Sequence, residues 1–195
     1  MKISISVMAH PKRAEFFDYI KQKLGDVPFS IDEKSEGCAI NGQRSWSMFD
    51  PLADWHIVIQ DDAIICDNFI ERAEKVIEQA IKNNCGAVSF HWGKRARMED
   101  RSKKGLKEGF IISKWLHWGV AVCIKTELVR PMLEHVNKMN IPQDDTRIAN
   151  FLMKNEIKIY YPMPSLIDHR KGESLVKDPG QNRVAYKFID NHDNK

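Results

Sequence analysis

Two carboxylates stand side by side in the stretch "WHIVIQDDAIICDNF", residues 55 to 69, where Asp61 and Asp62 separate the apolar run Ile57 to Ile59 from a second one, Ala63 to Ile65. Adjacent like charges disfavour each other's ionised form, so such a pair needs solvent or a cation close by. Two hard oxygen donors can share a divalent cation, whose open coordination positions would then carry phosphate oxygens. The same dipeptide also suits a plain strand-to-turn junction in which the aspartates cap the loop. Taken alone, the residues leave both readings open.

The elements that must position this pair follow from hydrophobic periodicity. "KISISVM" reads as a first strand, and "KRAEFFDYIKQKLG" then puts Phe16, Phe17, Ile20 and Leu24 on one helical face before stopping at Gly25. "VPFSID" is a short strand, and a helix over "GQRSWSMFDPLA" leads into the strand "WHIVIQ". Past the carboxylates, Phe69, Ile70, Ala73, Val76, Ile77, Ala80 and Ile81 recur at helical spacing and predict an amphipathic crossover helix, followed by the strand "GAVSF". "WGVAVCI" is another strand. "TELVRPMLEHVNKM" is a helix that Pro131 should kink or delay, "DDTRIANFLMKN" is a short helix, and "IKIYYP" closes as the last strand. Residues 93 to 109, with Gly93, Gly105 and Gly109, read as a mobile basic loop, and the segment from Met163 to the end as polar and irregular. The alternation predicts an α/β fold with a mostly parallel central sheet flanked by helices. Ligands of such sheets bind beyond the carboxyl ends of the strands, which is where Asp61 and Asp62 fall.

Bulk properties set the outer limits. A chain of 195 residues suits one domain spanning 1 to 195, and 43% hydrophobic with 29% charged residues is the balance of a folded globular protein. No apolar run approaches the roughly 20 residues that cross a bilayer. The start "MKISISVMAHPKR" is broken by His10 and Pro11 before a signal-peptide core can form, so no membrane partner and a cytoplasmic location are expected. Cys38, Cys66, Cys85 and Cys123 are widely spaced, which predicts reduced thiols and no zinc site. A net charge of +3 is too small to hold nucleic acid through the whole-protein field, but it is unevenly spread. Between Lys94 and Lys107, Lys94, Arg95, Arg97, Arg101, Lys103, Lys104 and Lys107 face only Glu99 and Asp100.

An apolar strand ending in an acidic triplet resembles the metal-binding signature of nucleotide-sugar-dependent glycosyltransferases of the GT-A fold. The resemblance is to the "EDD" form of lipopolysaccharide and collagen galactosyltransferase-like enzymes, and here the triplet stands as Gln60-Asp61-Asp62, neutral at its first position. It implies a single GT-A-like, Rossmann-like domain. Asp62 would hold Mn2+ or Mg2+, and Asp61 would contact the ribose or the metal's water shell. His10, Pro11 and Arg13, just after the first strand, and Arg44, in the helix before the triplet, would bind the nucleotide of a nucleotide diphosphate-sugar donor. "MPSLIDHRKGESLV" resembles the segment that returns to the metal and diphosphate, with His169 on the cation and Arg170, Lys171 and Ser174 on phosphate oxygens. "WLHWGVAVCI" resembles the segment flooring the donor or acceptor, where Trp115 and Trp118 would stack on a sugar or base. The short matches run along residues 1 to about 175 in the family's order.

A second acidic pair, Asp144 and Asp145, opens the helix "DDTRIANFLMKN" and matches the pair that such enzymes place under the acceptor. Carboxylates in a first turn are also favoured by the helix dipole without any function. One of them, hydrogen-bonded to an acceptor hydroxyl, would take its proton as the oxygen attacks the sugar carbon. Asp145 is the candidate base and Asp144 the reserve, and a base there implies inversion. For the acceptor, Arg95, Arg97 and Lys103 in the basic stretch suit DNA phosphates. The chain is similar to small phage enzymes that glycosylate hydroxymethylated pyrimidines in DNA. A precursor of lipopolysaccharide or surface polysaccharide is the alternative acceptor, and a non-catalytic nucleotide- or nucleic-acid-binding α/β domain the alternative of another class. A phosphate loop of the GxxxxGK[ST] type is absent.

Overall fold

The computed structural model describes residues 1–94, 96–170 and 183–189. Its first half runs β1 (Ile3–Ala9), a 3-10 segment (Pro11–Phe16), α1 (Phe17–Leu24), β2 (Phe29–Ile31), α2 (Cys38–Trp46), β3 (Trp55–Gln60), β4 (Ala63–Ile65), α3 (Phe69–Lys82) and β5 (Ala87–Ser89). The second runs α4 (Ala96–Glu108), β6 (Phe110–Ser113), β7 (Ala121–Lys125), α5 (Thr126–Val136), α6 (Asp144–Lys154), β8 (Ile159–Pro162) and β9 (Ile167–His169). Seven strands form one sheet in the order β2-β1-β3-β7-β5-β8-β6, while β4 and β9 form a separate antiparallel pair. β2, β1, β3, β5 and β8 run one way, and only β7 and β6 run against them. This is the expected α/β arrangement with a mostly parallel sheet.

β3 lies between β1 and β7, which explains its composition. Trp55, Ile57, Val58 and Ile59 are buried on both faces, as a central strand requires. β1 alternates isoleucine with serine, and its serine face turns inward, Ser6 buried and Ser4 half-buried. Ser4 Oγ lies 2.8 Å from His56 Nδ1, Ser6 Oγ lies 3.3 Å from Nε2, and Ser6 also donates to the Ser45 carbonyl at 2.8 Å. Both ring nitrogens of His56 are thus matched to hydroxyls, and burial lowers its pKa to about 4. That neutral network fastens β1, β3 and α2 together beneath the strand ends that carry His10 and Asp61.

Four elements differ from the sequence reading. Residues 96 to 108 form a helix, not a loop: Met98, Ser102 and Gly105 make a narrow inward stripe, so the helical period is written mostly in small or polar residues. Ser102 accepts from the Trp92 indole at 2.5 Å, and a β-carbon at Gly105 would overlap Ile111. β6, an edge strand, was hidden behind that glycine-rich stretch. β4 and β9, three residues each, hold each other rather than the main sheet, so β8 is not the last strand and the segment after Met163 contains a strand. Pro131 sits inside α5 without stopping it. The cysteines are free thiols, with Cys66, Cys85 and Cys123 buried, and among the described residues no helix is long and apolar enough to cross a membrane.

α2 and α6 meet at a close approach. Gly42 in α2 faces the carboxyl group of Asp144, and a β-carbon there would overlap it. Gly42→Ala should therefore destabilise by about 1–3 kcal/mol through overpacking, although alanine in an open helix position would gain about 1 kcal/mol. Urea unfolding reads the sign directly, and a stabilised variant would contradict the close contact.

Candidate functional site

Register brings the sequence-predicted residues to one place. β1 and β3 pair in parallel with Met8 opposite Gln60, so Asp61 emerges beside His10, and the Asp61 amide donates to the Met8 carbonyl at 3.0 Å. The His10 backbone N–H returns the contact, donating to Asp61 Oδ2 at 2.7 Å. Arg13, three residues on, reaches across both carboxylates: its Nη1 lies 2.9 Å from Asp61 Oδ1 and 2.6 Å from Asp62 Oδ2. The β4–β9 ladder sets His169 opposite Ala63, and the Arg170 amide donates to the Asp62 carbonyl at 2.9 Å. His169 Nε2 thereby comes within 3.1 Å of Asp62 Oδ2.

The tautomer of His169 makes that last contact informative. Its Nδ1 is 2.6 Å from the Arg170 carbonyl oxygen, which can only accept, so Nδ1 carries the proton. In the neutral ring, Nε2 is then a bare lone pair facing a carboxylate oxygen. Two acceptors at this distance need a cation between them or a second proton on the ring. Asp62 Oδ2 already takes the Arg13 guanidinium at 2.6 Å, so a hard dication would fit this pair of donors only with Arg13 displaced. The buried Asp62 Oδ1 has no hydrogen-bond partner and offers a further oxygen. No cluster of three or more His, Cys, Asp or Glu ligands occurs among the described residues, so a dication here would depend on ligands from substrate or water.

The two aspartates differ in their electrostatics. Burial raises the pKa of Asp61 above the ordinary carboxylate value, and the Arg13 guanidinium and the His10 N–H only partly offset it. Burial also acts on Asp62, but His169 and Arg13 together outweigh it, and its pKa falls below the ordinary value. Asp62 is thus the more firmly ionised of the pair and the better anchor for a cation.

Asp144 and Asp145 face different ways. Asp145 packs on Gly119, where an added β-carbon would come within 3.0 Å of Asp145 Cβ and 3.5 Å of Gln60 Nε2. The neutral Gln60 and the candidate base therefore flank the same glycine at the end of β3. Asp144 turns into the α2–α6 contact instead. Burial, reinforced by the charge of Asp145 and opposed by Arg147, raises its pKa to about 8, so it keeps its proton at neutral pH.

Arg44 is drawn into an ion pair with Asp32 at 3.3 Å and with Glu36 at 2.8 Å. Asp32, at the end of β2, was missed by the sequence reading. It is buried, caps the amides of Glu36 and Gly37 at 2.9 Å each, and feels the charge of His10. Its only signal was a carboxylate directly after a strand. Arg170 lies over the rings of Phe16 and Tyr19, 4.5 Å from each centroid. Trp118 is buried beside Gly93 and His91, whereas Trp115 is exposed on a different part of the chain's path, its carbonyl accepting from Tyr161. Lys103 is exposed on α4, pairing with Asp100 at 3.7 Å, and Arg97 belongs to the same helix. Arg95, Lys171 and Ser174 lie outside the described residues.

No family model matches the chain, and no curated protein sequence matches it. Solved structures do share its fold. A197 from STIV, a crystal structure, aligns with a TM-score of 0.53 and 13% identity over 95% of this chain and 94% of that one. GalNAc-T7, solved with UDP, GalNAc and Mn2+, aligns with a TM-score of 0.55 and 11% identity over 92% of this chain. The alignment takes in 46% of the GalNAc-T7 chain, so the present chain matches less than half of it. At these identities the likeness defines the fold, a GT-A-like α/β arrangement.

Asp144 leaves a measurable trace in stability. An unfolded aspartate ionises near 3.8, whereas the folded one holds its proton to about 8, so stability falls as pH rises between those values, by up to about 1.4 kcal/mol per pH unit. His56 and His91, lowered from 6.5 to about 4 by burial, act in the opposite sense and only below 6.5. Urea unfolding between pH 6.5 and 8 should show the fall in the native protein and a flattened profile in Asp144→Asn. An unchanged profile would mean that Asp144 is ionised.

Proposed function

We propose that the chain is a nucleotide-sugar-dependent glycosyltransferase working with Mn2+ or Mg2+, held by Asp62 and His169. The observation that carries the reading is the Asp62–His169 contact, with His169 Nε2 facing Asp62 Oδ2 at 3.1 Å beside the unpartnered Asp62 Oδ1, at the carboxyl end of a GT-A-like sheet. UDP, GalNAc and Mn2+ in GalNAc-T7 support a sugar-nucleotide donor and a dication for this fold. The whole of residues 1 to 195 is taken as one transferase domain.

A dication bound there would neutralise charge on the departing diphosphate. The chain's own residues do the rest. His10, Pro11, Asp61 and Arg44 frame the nucleoside, and Arg13, Arg170 and Ser174 donate to phosphate oxygens. Asp145 accepts the proton of the acceptor hydroxyl as that oxygen bonds to the anomeric carbon. The bond from that carbon to the diphosphate breaks with its electron pair going to the phosphate oxygen, and a single in-line displacement inverts the sugar. The acceptor reading rests on α4, which exposes Arg101, Lys103, Lys104 and Lys107. We propose a hydroxymethylated pyrimidine in DNA, bound with Arg95, Arg97 and the exposed Trp115, in the cytoplasm, the host's if the chain is phage-encoded; Trp118, being buried, would act only by supporting this surface. A lipopolysaccharide or surface-polysaccharide precursor is the alternative.

Calorimetry with nucleotide diphosphate-sugars, with and without Mn2+, tests the donor. Metal-dependent binding is expected, lost in Asp62→Ala and kept in Asp145→Asn, whose turnover should drop by roughly 10²–10⁴. No metal-dependent binding of any nucleotide would sink the transferase reading, and full turnover in Asp145→Asn would remove the assigned base. Sugar transfer to hydroxymethylated DNA, run against a glycan lysate, separates the two acceptors.

A further inference from the structure

Arg13 occupies the carboxylates that a metal ion would need. One guanidinium nitrogen bridges Asp61 Oδ1 and Asp62 Oδ2, and the second of these is the oxygen that His169 Nε2 faces. A dication bound to that oxygen and to His169 would lie against the guanidinium, and like charges at such range in a buried site repel strongly. Both aspartates are nevertheless buried, 3% and 4% exposed, and need a positive partner whenever no ion is bound. Arg13 supplies it.

The guanidinium keeps an edge open to solvent, its side chain being 16% exposed. Its 3-10 segment, Pro11–Phe16, contains no buried residue, and Arg13 itself departs from helical geometry at φ −121° and ψ 22°. Next to it, Arg170 is stacked over Phe16, in the same segment, and its Nε is buried without a hydrogen-bond partner. A diphosphate entering here would meet two guanidinium groups, each matched to phosphate oxygens in a bidentate fork.

We propose that Arg13 is an ionic latch that closes the Asp61–Asp62 site to metal ions until a nucleoside diphosphate draws the guanidinium onto its phosphates. Metal and diphosphate then bind as a coupled pair, each raising the affinity of the other by the same factor. The latch rests on the transferase reading for the identity of its diphosphate, but its effect on the metal is measurable without nucleotide.

The experiment is direct Mn2+ titration, by the paramagnetic signal of free Mn2+, of the native protein, Arg13→Gln, Arg13→Ala and Arg13→Lys, alone and with uridine, guanosine, adenosine and thymidine diphosphates. Native protein and Arg13→Lys should bind Mn2+ weakly alone. Arg13→Gln and Arg13→Ala should bind it about tenfold more tightly or better, because the competing charge is gone. Addition of Asp62→Ala to Arg13→Gln should abolish the gain, which ties it to this site. Thermal unfolding guards against misfolding of a variant: Mn2+ should raise the melting temperature of Arg13→Gln more than that of the native protein. The latch is overturned if neither neutral variant gains Mn2+ affinity, or if the native protein binds Mn2+ equally well with and without every diphosphate while the variants match it. Failure of the transferase reading would look different: no diphosphate would bind any form, while the neutral variants would still gain Mn2+.

Discussion

Asp61 and Asp62 are adjacent, buried and acidic, and taking even one carboxylate out of water costs several kcal/mol after relaxation unless a positive or hydrogen-bonding partner compensates. The surrounding architecture answers that constraint piece by piece. The segment directly after β1 supplies the His10 N–H and the Arg13 guanidinium, and the end of β9 supplies His169 and, one residue on, the Arg170 amide. None of these groups is close to the pair in sequence except through the sheet. The central sheet exists to bury its apolar strands, but its register decides which polar groups reach the carboxylates.

The two aspartates divide the task. Asp61 is held by β1 and couples the pair to the segment expected to contact a nucleotide. Asp62 is the more acidic and looks toward the returning histidine. Gln60, the neutral first member of the triplet, acquires a physical reason from the position of Asp145: both flank Gly119, and a third acid at residue 60 would add like charge beside the candidate base.

Much of this was legible in the sequence because it depends on strong, local signals. β3 with its terminal aspartates, α3 with its apolar face, and the helix opening at Asp144 fall close to where the periodicity puts them. α4 was not legible, since its inward positions are Met98, Ser102 and Gly105 and its polar surface looks like a charged loop. β4 and β9 are too short to carry a pattern, and their pairing joins residues from distant parts of the chain. The split between Asp144 and Asp145 was out of reach as well: it follows from the close passage of α2 at Gly42, a tertiary event with no local signature. Asp32 and the serine-lined face of β1 were overlooked because buried polar networks read as surface in a sequence.

His169 ends a ladder of three residue pairs, Ala63 with His169, Ile64 with Asp168 and Ile65 with Ile167, in which Ala63, Ile65 and Ile167 are buried in the core. The backbone beside it is fastened as well, the Leu166 and Ile167 amides donating to the Phe90 carbonyl and the Arg170 amide to the Asp62 carbonyl, so displacing His169 would disturb core packing and not one short ladder alone. Asp62 and His169 are therefore both held from one buried core, which fixes their separation before anything binds.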